Sequence, residues 1–389
     1  PAGARRPGVA PLSQYFDVAV AGGGVIGCSV AFHLAQKGAK VAVVEKRTLG
    51  GQASSVAAGM LAAQEEAAGP DAFFDVCLAS RAQFDALVPE VRALSSVDPE
   101  WETAGIWRVA ADEDEIPGLL AKKKWQEARG LSVHWVSPEE LKEIHPGLAP
   151  APGALYCPTD GQINSARWVQ ALEEAGRRLG VRFLDHAESV QFVREGRRIS
   201  GIRASADLIA ADQVVVAAGA WTPFLLETLG VSLPLEPVKG QLMVLNGVPR
   251  AFRGPVYATP GYVVPRADGR LIIGATAERV GFNVRPTLAA QRFLADWVAR
   301  WCPALGPMPV VEFQAGLRPG TPDGWPVVGR LWEFDNLYIA AGHFRNGILL
   351  SPWTGRYMAE GLLDGRWDPR GDAFSPERFR RASEPARPA

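Results

Sequence analysis

Apolar and polar positions near the start of the chain predict a strand, a helix and a second strand in close succession. Apolar residues run through 16–21, small and apolar residues without a breaker fill 28–37, and a second apolar run covers 40–44. Gly38 follows the helical segment at the place where glycine commonly ends a helix. This order predicts a βαβ unit, and therefore a parallel sheet with helices packed against it.

Periodicity further along the chain predicts both helices and strands. The predicted helices cover 68–98, 117–129, a segment starting at Ser137-Pro138, 166–179, 287–301 and 347–362. The predicted strands cover 106–110, 181–184, 188–193, 213–218, 241–245, 262–266, 270–275 and 337–341. Asp268-Gly269 lies between two of these strands and is a strong hairpin signal. Because parallel-type strands occur towards both ends and antiparallel-type strands between them, we expect a second domain to interrupt the first.

Composition and charge exclude several classes of protein. The 389 residues carry 41 basic and 42 acidic side chains, and a formal charge of −1 argues against a nucleic-acid binder that relies on overall basicity. The four cysteines form no CxxC pair, which argues against a zinc module, an iron–sulfur cluster or a disulfide scaffold and fits a reducing cytoplasm. No apolar run is long enough for a membrane span, and 1–15 lacks the apolar core of a signal peptide. The acidic cluster of Glu65, Glu66, Asp71 and Asp75 is expected to be a solvated face or a helix cap.

The strongest chemical signal is Gly22-x-Gly24-x-x-Gly27, placed between the first predicted strand and helix, with Glu45 closing the second strand. Gly22 allows a tight turn, Gly24 lets the backbone approach a pyrophosphate, and Gly27 lets helix and strand pack closely. The helix N-terminus offers unpaired N–H groups to phosphates. Glu45 can accept hydrogen bonds from a ribose diol. The pattern therefore predicts dinucleotide binding and does not by itself choose between NAD and FAD.

Three further segments favour FAD. Residues 50–60 are small enough for backbone and hydroxyl groups to line a flat ring system, and 214–221 form a strand that ends in a glycine turn. Residues 342–348 lead from the last strand into a helix whose N-terminus can stabilise negative charge on a reduced flavin. Each segment alone also fits a simpler interpretation: a flexible loop, an ordinary buried strand and a plain βα turn. His343 in the last segment is more typical of a packing residue than of a base.

Together these segments make the chain resemble the D-amino-acid oxidase superfamily of FAD-dependent amine oxidases, over residues 16–379. The resemblance is carried by the strings GGGVIG, SSVAAGML, DAFFD at 71–75, PVKGQ at 237–241, GYVVPR at 261–266, AGLRPGTPDGWPVVGR at 315–330 and AAGHFRNGILL at 340–350. The expected fold class is α/β, with a Rossmann-like FAD-binding domain interrupted by a second α+β substrate domain that has a mixed, largely antiparallel sheet. The expected ranges are 16–80, 150–235 and 320–379 for the first domain, 81–149 and 236–319 for the second, and 1–15 and 380–389 for loose tails.

The resemblance also implies roles for individual residues. Tyr262 and Arg318 would position the substrate carboxylate, Arg345 would be a second arginine at the substrate site, and no residue is expected to act as an acid or base. Val190 would contact the adenine side through its backbone. The implied cofactor-binding residues are Gly22, Gly24, Val25, Ile26, Gly27, Glu45, Lys46, Ala53, Ser54, Ala58, Gly59, Met60, Val190, His343, Phe344, Arg345, Asn346, Gly347, Ile348 and Leu349.

Arg318 can also be considered without the resemblance, because it lies in the apolar, turn-rich segment 316–320. A guanidinium in such a setting is costly without an anionic partner, and its fork fits a carboxylate bidentately. An internal salt bridge accounts for Arg318 equally well at this point. Pro260 and Ala277 are expected to flank the substrate pocket beside Tyr262.

The activity that the resemblance implies is oxidative deamination of glycine, and also of sarcosine and small D-amino acids. The products would be an oxo acid, ammonia and hydrogen peroxide, with O2 as the acceptor, and the imine would supply thiazole synthesis for thiamine. The resemblance further implies a homotetramer. Related enzymes that bind flavin covalently use a cysteine near the position of Arg318, and because none lies there, we expect FAD to be bound non-covalently. No metal is expected.

Two other functions stay open on the sequence. A D-amino-acid or proline dehydrogenase would pass its electrons to a quinone or a carrier, and oxygen reactivity has no motif that decides the matter. A flavoprotein that modifies a macromolecule such as tRNA would need a dense basic, aromatic-rich stripe, which the sequence lacks. The expected partners are therefore a small amino acid and O2, with neither nucleic acid nor membrane.

Overall fold

The structure is a computed structural model that describes residues 14–246 and 252–383. Its strands are β1 (Gln14–Ala21), β2 (Val41–Val44), β3 (Met60–Leu61), β4 (Ile106–Val109), β5 (His134–Val136), β6 (Ala154–Cys157), β7 (Gly161–Gln162), β8 (Arg182–Leu184), β9 (Val190–Glu195), β10 (Arg198–Ala204), β11 (Asp207–Val216), β12 (Glu236–Asn246), β13 (Val256–Ala258), β14 (Gly261–Pro265), β15 (Arg270–Gly274), β16 (Val310–Gly320), β17 (Val327–Arg330) and β18 (Leu337–Ala341). Its helices are α1 (Val25–Gln36), α2 (Ala53–Val56), α3 (Ala72–Arg81), α4 (Phe84–Ser95), α5 (Ile116–Ala128), α6 (Pro138–Ile144), α7 (Ser165–Arg178), α8 (Thr222–Glu227), α9 (Leu288–Trp301), α10 (Gly347–Asp364) and α11 (Glu377–Ser383).

The first sheet contains the βαβ unit that the sequence predicts. Its strand order is β17-β18-β11-β1-β2-β8, in which β18, β11, β1, β2 and β8 run parallel and β17 is antiparallel to β18. The hairpin of β9 and β10 extends it from β11. Alternate residues of β1 enter two apolar clusters, with Val18 and Val20 in one and Ala19 and Ala21 in the other. A sheet buried on both faces is typical of an α/β fold, which confirms the predicted class.

The second sheet is mixed and largely antiparallel, as expected. Its order is β16-β12-β15-β14-β13-β4-β6-β5, and only the β13–β4 pair within it is parallel among the described strands. Asp268-Gly269 connects β14 to β15, as the hairpin signal predicts. Helix α9 packs on this sheet through Leu294, Trp297 and Val298. The second sheet is thus a largely antiparallel layer that α9 covers on one face.

Several segments differ from the sequence-based expectation. Residues 316–320, expected to be turn-rich, are the end of the eleven-residue strand β16, and the pairing of β16 with β12 runs through Pro319 to Gly320. β16 is the edge strand of its sheet, where a proline that lacks an N–H is tolerated. The predicted helix 68–98 is two helices, α3 and α4, separated at Ala82 and Gln83.

The predicted domain ranges also differ locally from the two sheets. Helix α4 belongs to the apolar core of the first sheet through Phe84 and Val91, although 81–149 was expected in the second domain. Strand β6 pairs with β4 and β5 in the second sheet, although 150–235 was expected in the first domain. β1 begins and α11 ends within the ranges expected to be tails, while 1–13 and 384–389 lie outside the described residues.

Candidate active site

A cavity of about 530 Å³ lies between the two sheets. Turns that follow the carboxyl ends of β1, β2, β11 and β18 form one wall, and residues of β12, β14 and β16 form the other. In open parallel sheets, ligands bind in the crevice outside these carboxyl ends. The volume is that of a pocket for a small molecule or cofactor.

Most of the predicted site residues line this cavity. They are Gly22, Gly24, Val25, Ile26, Glu45, Lys46, Ala53, Ser54, Ala58, Gly59, Met60, Val190, Tyr262, Arg318, His343, Phe344, Arg345, Asn346, Gly347 and Ile348. Gly27 and Leu349 are not among the lining residues. Leu349 is buried, and its carbonyl accepts a hydrogen bond from Ser80 Oγ at 2.6 Å, so this residue fixes the helix rather than facing the cavity.

The glycine turn after β1 depends on the absence of side chains at two positions. Gly22 has φ of +113°, and a Cβ there would lie 2.4 Å from the Ala217 carbonyl oxygen. A Cβ at Gly27 would lie 1.9 Å from the Gly22 carbonyl oxygen, so Gly27 brings α1 against the turn without lining the cavity. Gly24 precedes α1 and supplies no side-chain cap, while the Val25 N–H donates to Ser54 Oγ at 3.0 Å. Ile26 lines the cavity, so the next part of this helix start lies where a ligand can approach it.

Glu45 lies at the end of β2, where the sequence places a ribose acceptor. Its carboxylate accepts hydrogen bonds from the Gly23 N–H and the Arg47 N–H, both at 2.8 Å. These two backbone donors hold the side chain towards the glycine turn, and a carboxylate keeps further lone pairs for a diol. Val190 reaches the same cavity at the start of β9.

The small-residue segment 50–60 is held in place rather than being a flexible loop. Gly59 has φ of +72°, and a Cβ there would lie 1.9 Å from the Ile163 carbonyl oxygen. The Arg266 guanidinium donates to the Ala58 carbonyl at 2.6 Å and to the Ile163 carbonyl at 3.0 Å. Burial lowers the pKa of Arg266 to about 10, yet the side chain stays charged at neutral pH. Sequence reasoning missed Arg266, because its partners are backbone groups more than 100 residues away.

The turn after β18 leads into α10 at the cavity wall. Asn346 precedes the helix without a side-chain cap, and Gly347 and Ile348 line the cavity, so the positive end of the helix dipole is close to it. His343 is buried and lies 3.0 Å from Thr354 Oγ1 through Nε2. Burial lowers the pKa of His343 to about 3, so the ring is neutral at physiological pH. These contacts agree with the packing role that the sequence favours.

Arg318 and Tyr262 lie on β16 and β14 and meet at the second wall of the cavity. Arg318 donates from Nη1 to the Thr276 carbonyl at 3.0 Å. In the described ranges 14–246 and 252–383, no carboxylate lies within ion-pair distance of this guanidinium. The internal salt bridge considered from the sequence is therefore absent from this part of the chain. Burial lowers the pKa of Arg318, and burial raises the pKa of Tyr262, which keeps the phenol neutral.

Two glycines make room for these side chains, and sequence reasoning singled out neither. A Cβ at Gly240 would lie 2.4 Å from Arg318 Cζ, and a Cβ at Gly274 would lie 2.3 Å from the Tyr262 hydroxyl. The Arg318 guanidinium therefore lies against the bare backbone of β12. Gly240 occurs in the PVKGQ string, but only the three-dimensional contact shows why the residue is glycine.

Arg345 differs from Arg318 because it already has an anionic partner. Its Nη2 lies 2.9 Å from Glu66 Oε1, and both residues line the cavity. Glu66 is the main cause of a raised pKa for Arg345. The expectation of a solvated acidic face is wrong at Glu66, which faces the cavity, and at Glu65, which is buried and pairs with Arg108 at 2.9 Å.

The remaining predictions about the cavity can also be placed. Asp71 is the N-cap of α3 and accepts from the Phe74 N–H at 2.8 Å, which agrees with the helix cap that was one of the two expectations for the acidic cluster. Pro260 and Ala277 do not line the cavity, whereas Trp221 and Phe224 do.

All four cysteines lie within the described residues, where they are buried and absent from the lining. The described residues contain no group of three or more His, Cys, Asp or Glu that could hold a metal ion. None of their helices is both long and apolar enough to span a membrane.

The glycine turn, the uncapped helix start and the carboxylate of Glu45 suit a dinucleotide, and a flat ring system suits the small-residue wall of 53–60. The fold and the cavity thus define an FAD-dependent oxidoreductase. The sequence profile of the DAO family, described as FAD dependent oxidoreductase, matches residues 17–361, and the chain belongs to this family.

Individual relatives show which members of this family the chain is similar to. The chain is 35% identical over 352 residues to glycine oxidase of Geobacillus kaustophilus, which covers 90% of this chain and 93% of the relative. The crystal structure of glycine oxidase from Geobacillus kaustophilus superposes with a TM-score of 0.87 at 34% identity and covers 93% of this chain and 98% of that one. The bifunctional protein ThiO/ThiG of Synechocystis is 33% identical over 95% of this chain but only 55% of its own length.

Proposed function

We propose that the protein is a glycine oxidase, which deaminates glycine with O2 to glyoxylate, ammonia and hydrogen peroxide. The observation that carries this proposal is the Arg318 guanidinium, which lines the cavity beside Tyr262 with no carboxylate partner among the described residues. The similarity to glycine oxidases over nine-tenths of the chain supports the same activity.

The residues at this wall suit the binding of a small amino acid by its carboxylate. The Arg318 fork can donate two parallel hydrogen bonds to a carboxylate, and the neutral Tyr262 hydroxyl can donate a third. Their contacts with the Thr276 carbonyl and the two glycines limit how far they can move before substrate arrives. Such an arrangement lowers the barrier by orienting the α-carbon rather than by transferring protons.

The cofactor supplies the redox chemistry, since a bound flavin accepts two electrons from the C–N centre and O2 can take them up. The protein chain holds that cofactor through the residues of the glycine turn, the segment 53–60 and the start of α10. Because His343 is neutral and buried, it serves to fix the turn after β18. We expect non-covalent FAD, since none of the four cysteines lines the cavity.

We further propose that sarcosine and small D-amino acids are also oxidised and that the glycine-derived imine supplies thiazole synthesis for thiamine. The similarity to a ThiO/ThiG protein supports the second point. A homotetramer remains a prediction from the family resemblance, and a cytoplasmic location remains a prediction from the unpaired pattern of the cysteines. Size exclusion with light scattering would test the homotetramer directly.

A peroxide-coupled assay with glycine, sarcosine, D-alanine and D-proline tests the proposed activity. We expect glyoxylate, ammonia and peroxide in equal amounts from glycine under air. Anaerobic glycine should bleach the flavin, and admission of air should restore the yellow colour. Recovery only after a quinone is added would favour the dehydrogenase, and a flavin that none of the four amines bleaches would overturn the amine-oxidase proposal.

A further inference from the structure

The charged side chains that line the substrate end of the cavity are two arginines and one glutamate. Arg318 has no carboxylate partner in the described part of the chain, whereas Arg345 has Glu66 at 2.9 Å. The other charged lining residues, Glu45, Lys46 and Arg47, follow β2 at the dinucleotide end. The substrate end therefore carries one net positive charge, which matches a single carboxylate.

Glu66 is held where it is by a buried network behind the cavity wall. The Asp160 carboxylate accepts from the Gln64 N–H at 3.0 Å and from the Glu65 N–H at 2.8 Å, and Arg81 pairs with it at 2.5 Å. The Glu66 N–H donates to the Ala62 carbonyl at 3.1 Å. The backbone that leads into Glu66 and the N–H of Glu66 itself are thus anchored, so a fixed segment presents the carboxylate to Arg345.

We propose that Glu66 is a specificity-determining residue that occupies Arg345 and restricts the site to substrates with one carboxylate. The inference rests on the proposed function and adds to it the class of substrate that is rejected. An amino dicarboxylate, such as aspartate or iminodiacetate, would bring its second carboxylate towards the Glu66–Arg345 pair. The second carboxylate of the ligand could reach Arg345 only by displacing Glu66. The Glu66 carboxylate and the ligand carboxylate would then repel each other without a cation between them.

The electrostatics of the three groups agree with this arrangement. The pKa of Arg345 is raised mainly by Glu66. The pKa of Arg318 is lowered by burial, while the neighbouring Tyr262 and Glu66 raise it and Arg345 lowers it. Loss of the Glu66 charge would therefore leave two uncompensated guanidinium groups in one cavity. A dianion with two suitably spaced carboxylates is the ligand that such a pair favours.

Binding of unreactive carboxylates to the holoenzyme tests the proposal without turnover. Acetate has one carboxylate, and malonate and succinate carry a second at two spacings, so each can be titrated against the flavin absorbance spectrum. For the parent protein we expect acetate to bind more tightly than either dianion. For Glu66→Gln we expect the affinity for at least one dianion to rise by about tenfold or more, while that for acetate changes little.

Two further variants assign the effect to Arg345. The gain in dianion affinity should disappear in Glu66→Gln combined with Arg345→Gln, because the freed guanidinium is then missing. Asp75→Asn removes a carboxylate that pairs with Arg129 away from the cavity and should leave all three affinities unchanged. Arg345→Gln alone leaves the negative charge of Glu66 without a cationic partner and should weaken acetate binding. This variant provides a second measurement if the Glu66→Gln protein does not bind flavin.

An unchanged ratio of dianion to acetate affinity in a flavin-loaded Glu66→Gln protein would overturn the proposal. A gain that persists in the double variant would do the same, since Arg345 would then play no part. Failure of the parent holoenzyme to oxidise glycine would instead contradict the proposed function. The carboxylate titrations and the turnover assay thus separate the two failures.

Discussion

At the cofactor end of the cavity, backbone groups of three turns approach one another closely, and the decisive residues have little or no side chain. At the substrate end, the side chains of Tyr262, Arg318 and Arg345 come from β14, β16 and the turn after β18. We expect the first region to select its ligand by close backbone approach and by dipoles. The second selects by charge, so a change there should alter which substrate binds while the flavin stays in place.

The largest expected effect is at Gly22. Gly22→Ala places a Cβ 2.4 Å from the Ala217 carbonyl oxygen at φ of +113°, and the turn must shift out of the dinucleotide site. We expect a folded protein that has lost most of its flavin and all oxidase activity, measured by the flavin-to-protein absorbance ratio. Gly38→Ala is the matched control, because Gly38 also has a positive φ but has no neighbour within 4 Å of its Cβ position. Full flavin content in Gly22→Ala would contradict the close-approach argument.

The next effect sharpens the contrast, because it concerns the substrate end alone. Arg318→Ala should lower kcat/KM for glycine by about 30- to 5,000-fold, since a buried charge-assisted contact contributes about 2–5 kcal/mol. Arg318→Lys should be nearly as damaging, because lysine lacks the bidentate fork. Both variants should keep their FAD, as judged by the absorbance spectrum. Arg279→Ala, which removes an exposed arginine paired with Glu236, serves as the control.

Primary amines without a carboxylate offer an independent check on the same region. If the parent enzyme oxidised them as well as glycine, Arg318 could not be the group that positions the substrate. Steady-state kinetics with ethylamine and glycine would show this directly.

A smaller effect is expected at Gly240, where the bare backbone of β12 makes room for the Arg318 guanidinium. Gly240→Ala places a Cβ 2.4 Å from Arg318 Cζ, so the guanidinium must move away from β12. Overpacking of this kind costs about 1–3 kcal/mol. We expect KM for glycine to rise by about 5- to 150-fold with flavin content unchanged. Gly118→Ala, which meets nothing within 4 Å, should leave KM unaffected. A normal KM in Gly240→Ala would show that Arg318 does not need its present position.

The two ends also differ in how far they could be predicted from the sequence. The cofactor end is encoded locally, because Gly22, Gly27 and Glu45 act through the strand–turn–helix in which they occur. At the substrate end, only the family resemblance points to Tyr262 and Arg318, and the local pattern around Arg318 indicates turns although the segment is part of β16. Local patterns miss such a strand when it contains glycine and proline and gains its stability from pairing with a distant partner.

The residues that sequence reasoning missed share one property: a contact with a residue distant in the sequence explains why each of them is present. Gly240 is small because Arg318 lies above it, and Gly274 is small because Tyr262 does. Glu66 was grouped with an acidic surface because nothing in its neighbourhood along the chain indicates Arg345, which is 279 residues away. Long-range charge pairs of this kind cannot be inferred from local spacing.

The smallest expected effect concerns pH and separates the two ends by their titration. His343 at the cofactor end has its pKa lowered by burial to about 3, against about 6.5 for an unfolded chain. The unfolded state therefore binds the extra proton first, and the stabilising contribution of neutral His343 is lost as pH falls below about 6.5. Between pH 7 and pH 5 this loss is about 2 kcal/mol. Arg318 at the substrate end stays charged over this range and contributes no such slope.

Thermal unfolding of the holoenzyme tests this prediction. On acidification, His343→Asn should lose less stability than the parent protein does. His186→Asn, on the exposed surface, is the control. Equal slopes in parent and His343→Asn would mean that the pKa of His343 is the same in the folded and unfolded states, so that this ring, like Arg318, contributes nothing to the pH dependence of stability.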